Sequence, residues 1–167
     1  MAQSLDQQTF QKLVPLACEW AGVQEQLVLL HGTPLTSDQT ADAQRAGVEH
    51  YSRVRVLVAE RIPLPENPEL ADAAQRTQIL TEDSHGLAIG HAIVIRADRW
   101  GDRELLVHNL VHVAQCERAG GLEPWVRHYL GDRRASPIFT IGACEEEARA
   151  LARKICAQES TLVEYGT

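Results

Sequence analysis

Two histidines and a run of three glutamates have the types and spacing that suit metal chemistry. His108 and His112 sit one helical turn apart in RELLVHNLVHVAQ, Arg103 to Gln115. A helix turns about 100° per residue, so positions i and i+4 share a face. Two imidazoles so placed can grip one metal ion. A hydrolytic zinc centre needs three protein ligands and one open position for water. The third ligand is sought in Glu145, Glu146 and Glu147, far enough downstream for the chain to turn back. Glu145 is the first choice, Glu147 the second and Glu146 the third. Asn109 stands between the histidines, at the place of a general base. An asparagine amide can hydrogen-bond a metal-bound water but cannot take its proton. His128 and Tyr129 follow and could line the cleft, where an imidazole or a phenol can steady an oxyanion.

Each of these features also has a plain structural explanation. An HxxxH spacing recurs by chance on buried helices, and an acidic first turn suits the helix dipole by itself. His128 and Tyr129 are residue types that often pack amphipathically near a surface. Cys116 lies two turns beyond His108, about 12 Å along the axis, too far to share an ion with both histidines. It reads as a small buried hydrophobe. The remaining histidines His31, His50, His85 and His91 show no partner pattern.

The histidine stretch needs a rigid support. Leu105, Leu106, Leu110, Val111 and Val113 make it apolar on most sides, as in a buried central helix. Asp102 is placed to cap its start, and Gly120 and Gly121 stop it. Ala143 to Ala157 reads as a final helix, with an acidic first turn and Arg153 and Lys154 near its end. Upstream, the periodicity predicts a helix from Leu5 to Trp20 kinked at Pro15, a break at Gly22, and a short helix over Gln24 to Leu30. Thr36 and Gln39 fit a capping box that opens a polar helix ending at Gly47. Val54, Val56 and Val58 alternate with Arg53, Arg55 and Leu57, the period of a strand. Pro63, Pro65 and Pro68 end it, and Pro68 to Gln78 predicts a short helix. A second strand is predicted over Leu87 to Arg96, with Gly86 and Gly90 marking a turn or bulge. Leu122 to Leu130 reads as a helix and Gly131 to Gly142 as a loop. Helices and strands that do not alternate one for one point to an α+β fold.

The run LLVHNLVHVAQ, the following GG and the later EEEAR helix resemble the zincin-like metallopeptidases of the gluzincin type. The likeness is to small bacterial proteins whose helix reads LLVHELVHVAQ and whose later helix carries Glu-x-Glu-Ala. It spans Val54 to Leu151. The resemblance implies zinc as cofactor, with His108, His112 and Glu145 as its ligands, and a peptide or protein as ligand or substrate. It also implies that the residue after the first histidine should be a glutamate that deprotonates the bound water. Asn109 departs from that pattern. Loss of a general base costs on the order of a hundredfold to ten-thousandfold in rate. Arg149 departs as well, because related glutamate helices carry there an acidic residue that orients a ligand histidine. That orienting role must then come from elsewhere.

At 167 residues, with 44% hydrophobic and 23% charged side chains, the chain suits one domain with a real core. A helical N-terminal part, residues 1–50, and a zincin-like core, residues 51–167, are expected within it. The net charge of −7 argues against nucleic acid as the main partner. No apolar stretch is long enough to span a bilayer. No basic-then-apolar leader opens the chain, and the scattered Cys18, Cys116, Cys144 and Cys156 read as reduced thiols, so a cytoplasmic location is expected. Three functions follow. The first is a zinc-binding zincin without effective catalysis. The second is an active zinc hydrolase using another carboxylate, such as a spare member of Glu145 to Glu147, as base. The third is a structural helical domain with no metal.

Overall fold

A computed structural model describes residues 5–135 and 141–164. Six α-helices and a four-stranded mixed sheet make up an α+β fold among these residues. The first helix, α1 (Gln7–His31), starts at Asp6, whose carboxylate accepts the Thr9 amide at 2.9 Å. It runs unbroken through Pro15 and Gly22, where a kink and a break are expected from the sequence. A mid-helix glycine costs only about 1 kcal/mol and a proline about 3 kcal/mol. Burial of Leu13, Val14, Ala21 and Val28 along one stripe outweighs both. Gly22 itself faces open space, so no packing demands it.

A two-residue strand, β1 (Thr33–Pro34), follows, and then α2 (Ser37–Arg45). The capping box is present: Gln39 N donates to Thr36 Oγ1 and Thr36 N to Gln39 Oε1. The later strands are β2 (Arg55–Ala59), β3 (Gly86–Ile89) and β4 (Ala92–Arg96), with α3 (Pro68–Arg76) between β2 and β3. The sheet order is β1-β2-β4-β3; β2 and β4 are parallel, and the two outer pairs antiparallel. The single strand predicted over Leu87 to Arg96 is therefore a hairpin. Ile89 pairs with Ala92 across the two-residue turn Gly90-His91, and Gly90 has φ 62°. That positive φ suits glycine, and a side chain here would collide with the Glu25 carboxylate of α1. Gly90, expected from the sequence to mark a turn or bulge, is the turn; the apolar run alone does not say that the chain reverses there.

The central helix, α4 (Arg103–Ala119), is capped by Asp102, which accepts the Leu105 amide at 3.1 Å, and ends at left-handed Gly120 (φ 97°). Val107, Leu110, Val111, Val113 and Ala114 are fully enclosed. They pack with Val54, Val56, Ile93 and Ile95 of the sheet side and with Ala148, Ala152 and Ile155 of α6 (Ala143–Glu164). The helix α5 (Leu122–Ala135) runs on through Gly131, beyond the end expected at Leu130. Residues 136–140 of the expected loop lie outside the described residues. The N-terminal helix shares the core: Ala21 packs with Ile89, Cys116, Trp125 and Val126. No helix among the described residues is long and apolar enough to cross a membrane.

Two predictions follow from this packing. Leu110→Ala removes a fully buried side chain at the centre of α4, and should cost roughly 2–5 kcal/mol in urea unfolding. The second concerns Asp42, a buried carboxylate on α2. It accepts Arg103 Nε at 2.9 Å and Nη2 at 2.8 Å, with Arg45 at 3.0 Å. The Arg103 hydrogen bonds hold its pKa below the ordinary 3.8, against the opposing effect of burial. A folded pKa below the unfolded one gives stability that is complete above that value and lost as pH falls through it. Asp42→Asn should therefore destabilise the protein by about 1–3 kcal/mol at pH 7. Melting curves from pH 7 to pH 3 should show the difference from the parent shrinking as the pH drops.

Candidate metal centre

The centre forms where α4, α5 and α6 meet beside the edge strand β3. Helical periodicity puts His108 and His112 on one face of α4, and their Nε2 atoms lie 3.1 Å apart. The α6 helix packs along α4 and delivers Glu145 to them. Its Oε2 is 3.0 Å from His108 Nε2 and its Oε1 is 3.1 Å from His112 Nε2. The ligand atoms of the three residues all fall within 4.8 Å of one another, and no other such group exists among the described residues. Ligands about 2.0–2.1 Å from a tetrahedral zinc stand about 3.3 Å from each other, so the spacing fits that donor set with slight expansion.

Supporting contacts surround the three residues. His112 is buried, and its Nδ1 is 2.8 Å from Gln115 Oε1. Gln115 Nε2 in turn donates to the Cys144 carbonyl at 2.9 Å, tying α4 to the start of α6. The glutamine carbonyl can only accept, so it fixes the proton on Nδ1 and leaves Nε2 as the nitrogen that faces the centre. Tyr129 of α5 donates its hydroxyl to Glu145 Oε1 at 2.6 Å, and its ring meets His112 edge-on. Burial, then the Glu145 charge, pushes the Tyr129 pKa well above its ordinary value. Burial also tends to raise the Glu145 carboxyl, but hydrogen bonds from His108, His112 and Tyr129 outweigh it and hold the group far below the usual carboxylate range. These contacts thus favour the ionised form of a half-buried carboxyl at the centre.

The structure separates the other candidate residues. Glu147 lies outside the cleft and pairs with Arg118 at 2.6 Å, and Glu146 is exposed. Neither is placed to act as a base at the histidines. His128 is exposed on α5 and does not line the cleft, whereas Tyr129 does. The phenol is engaged with Glu145 instead of standing open for an oxyanion. Asn109 is buried; its Nδ2 donates to the Leu105 carbonyl at 2.8 Å, back along its own helix. Gly86 of β3 makes room for it, since a Cβ there would come within 2.8 Å of that nitrogen. Burial pushes the Cys116 thiol up to about 12 and the Cys144 thiol up to about 11, so both are inert thiols at neutral pH. His91 joins a separate stitch. Its Nε2 is 2.9 Å from Glu117 Oε1, and that carboxylate also accepts the amides of Glu49 and His50.

Gln115 and Trp125 carry parts of the centre that the sequence reading assigned to no role. Gln115 had a legible signal: a polar side chain three residues after a histidine in an otherwise apolar, buried run needs a partner. Trp125 packs against His112 with ring centroids 5.9 Å apart, and only the tertiary packing reveals that.

The chain matches no protein-family model, no curated protein and no solved structure.

Proposed function

We propose that this chain is a zincin-like metal-binding protein that holds zinc at His108, His112 and Glu145 and has lost effective peptidase chemistry. The carrying observation is the single carboxylate that meets both imidazole Nε2 atoms at 3.0 and 3.1 Å. The Gln115 bond to His112 supports it further, because ligand histidines are regularly oriented through their second nitrogen. A bound zinc would act as a Lewis acid and lower the pKa of its water. Among the described residues no carboxylate stands ready to receive that proton. Asn109 cannot accept it, Glu145 is committed to the histidines and Tyr129, and Glu146 and Glu147 point elsewhere. The site therefore binds and polarises but lacks the group that carries a proton to a leaving amine.

Metal analysis of protein purified without a histidine tag tests the reading. About one zinc per chain is expected, lost in His112→Ala, together with negligible peptide turnover. Absence of bound metal after zinc exposure would leave a structural helical domain whose histidines are core residues. Brisk zinc-dependent cleavage by the unaltered protein would point to a working hydrolase.

A further inference from the structure

A cavity of about 740 Å³ opens onto His108, His112 and Glu145 and extends away from them between α1, α3, β3 and α5. That size falls within the range of small-molecule sites, roughly 300–1,000 Å³. Its walls are mostly apolar, with Leu13, Ala17, Trp20, Leu70 and Leu80 among them. Its charges are one-sided. Arg133, Arg134 and Arg149 line it against one carboxylate, Glu145, although the whole chain carries a net charge of −7. Glu145 is already taken up by the histidines and Tyr129.

Arg133 is the informative member. It is half-buried, and its Nη1 and Nη2 donate to the carbonyls of Ile141 at 2.9 Å and Thr77 at 3.3 Å. Its Nε is buried with no hydrogen-bond partner. No carboxylate among the described residues forms an ion pair with it. A guanidinium taken partly out of water and left without a counter-ion is costly unless something supplies one. Arg133 follows Tyr129 by one turn on α5 and Arg149 follows Glu145 by one turn on α6, and both line the cavity, Arg149 at its exposed side.

We propose that this cavity binds a small amphiphilic carboxylate of the fatty-acid class, its chain between α1, α3 and β3 and its carboxylate at Arg133. The site stands on the cavity and the arginine and does not depend on zinc. The test is therefore run on chelator-treated protein. Decanoate and decan-1-ol are titrated calorimetrically. Decanoate should bind one per chain, about tenfold or more tighter than the alcohol, because a charge-assisted pair is the stronger bond. Arg133→Gln should weaken decanoate by about tenfold or more and leave the alcohol unchanged. Ala17→Trp, which fills the chain site, should weaken both. Arg133 also clips two backbone carbonyls, so its variant is checked by circular dichroism. If that variant does not fold, Arg133→Lys should keep the preference for decanoate over the alcohol, and Ala17→Trp should still remove it. No decanoate binding, equal affinity for acid and alcohol, or full binding in Ala17→Trp each overturns the proposal.

Discussion

Saturating zinc is expected to raise the melting temperature of the chelator-treated protein by roughly 5–15 °C, and His112→Ala to abolish the rise. A ligand at about 100 to 1,000 times its Kd stabilises a native state by about 2.7–4.1 kcal/mol. In a chain of this size each kcal/mol moves the midpoint by about 2–4 °C. The gain has a physical source in the three ligand atoms. Two imidazole nitrogens and a carboxylate are held about one tetrahedral edge apart by helices packed through Leu110, Val111, Ala148 and Ala152. The entropy of gathering them is spent by the fold before the ion arrives. Acid should weaken the effect, because protons compete with the metal for the ligands. Gln115→Ala should keep the site but loosen it by about 10- to 100-fold, since it frees the His112 ring from its orienting partner. Differential scanning fluorimetry against zinc concentration reads all three. An unchanged midpoint in the parent protein would sink the zinc reading.

The second large effect is expected from Asn109→Glu. Peptide turnover should rise by about a hundredfold to ten-thousandfold over a nearly inert parent, the range a general base contributes. The replacement surrenders the bond from Asn109 Nδ2 to the Leu105 carbonyl and places a longer, charged side chain at a buried position. Gly86 supplies the space that a larger residue on β3 would take. The burial cost falls if a zinc-bound water meets the new carboxylate, so the variant should be more stable with zinc than without. A fluorogenic peptide assay with and without chelator measures the gain. The same assay on Asn109→Gln is the control, since glutamine has nearly the same length and no basicity. Equal activity in the two variants would refute the argument that Asn109 lacks only the proton acceptor.

The histidine face was legible because it rests on a local rule. Four residues make about one helical turn, and the apolar residues around His108 and His112 mark a helix enclosed on most sides. The caps at Thr36, Asp102 and Gly120 were legible for the same reason, each being a contact within a few residues. The chemical limit at Asn109 follows from the identity of one side chain. Other features escaped a local reading. Pro15 and Gly22 look like breaks until Leu13, Val14, Ala21 and Val28 are seen buried along one stripe. The run from Leu87 to Arg96 reads as one strand with a turn or bulge marked at Gly90, and only the pairing of Ile89 with Ala92 makes it a hairpin.

By itself the sequence determined the α+β character, the paired histidines and the non-basic asparagine between them, because periodicity and side-chain chemistry act within a turn or a single residue. Tertiary structure decided which glutamate joins them. Three consecutive acids point about 100° apart around α6, and the packing of α6 on α4 turns Glu145 inward while Glu147 meets Arg118 outside. It also decided that Tyr129 and Gln115 brace the centre, and that an arginine with no ion pair among the described residues borders a mostly apolar cavity. Those are relations between side chains distant along the chain, and only the burial of shared apolar surface brings them together.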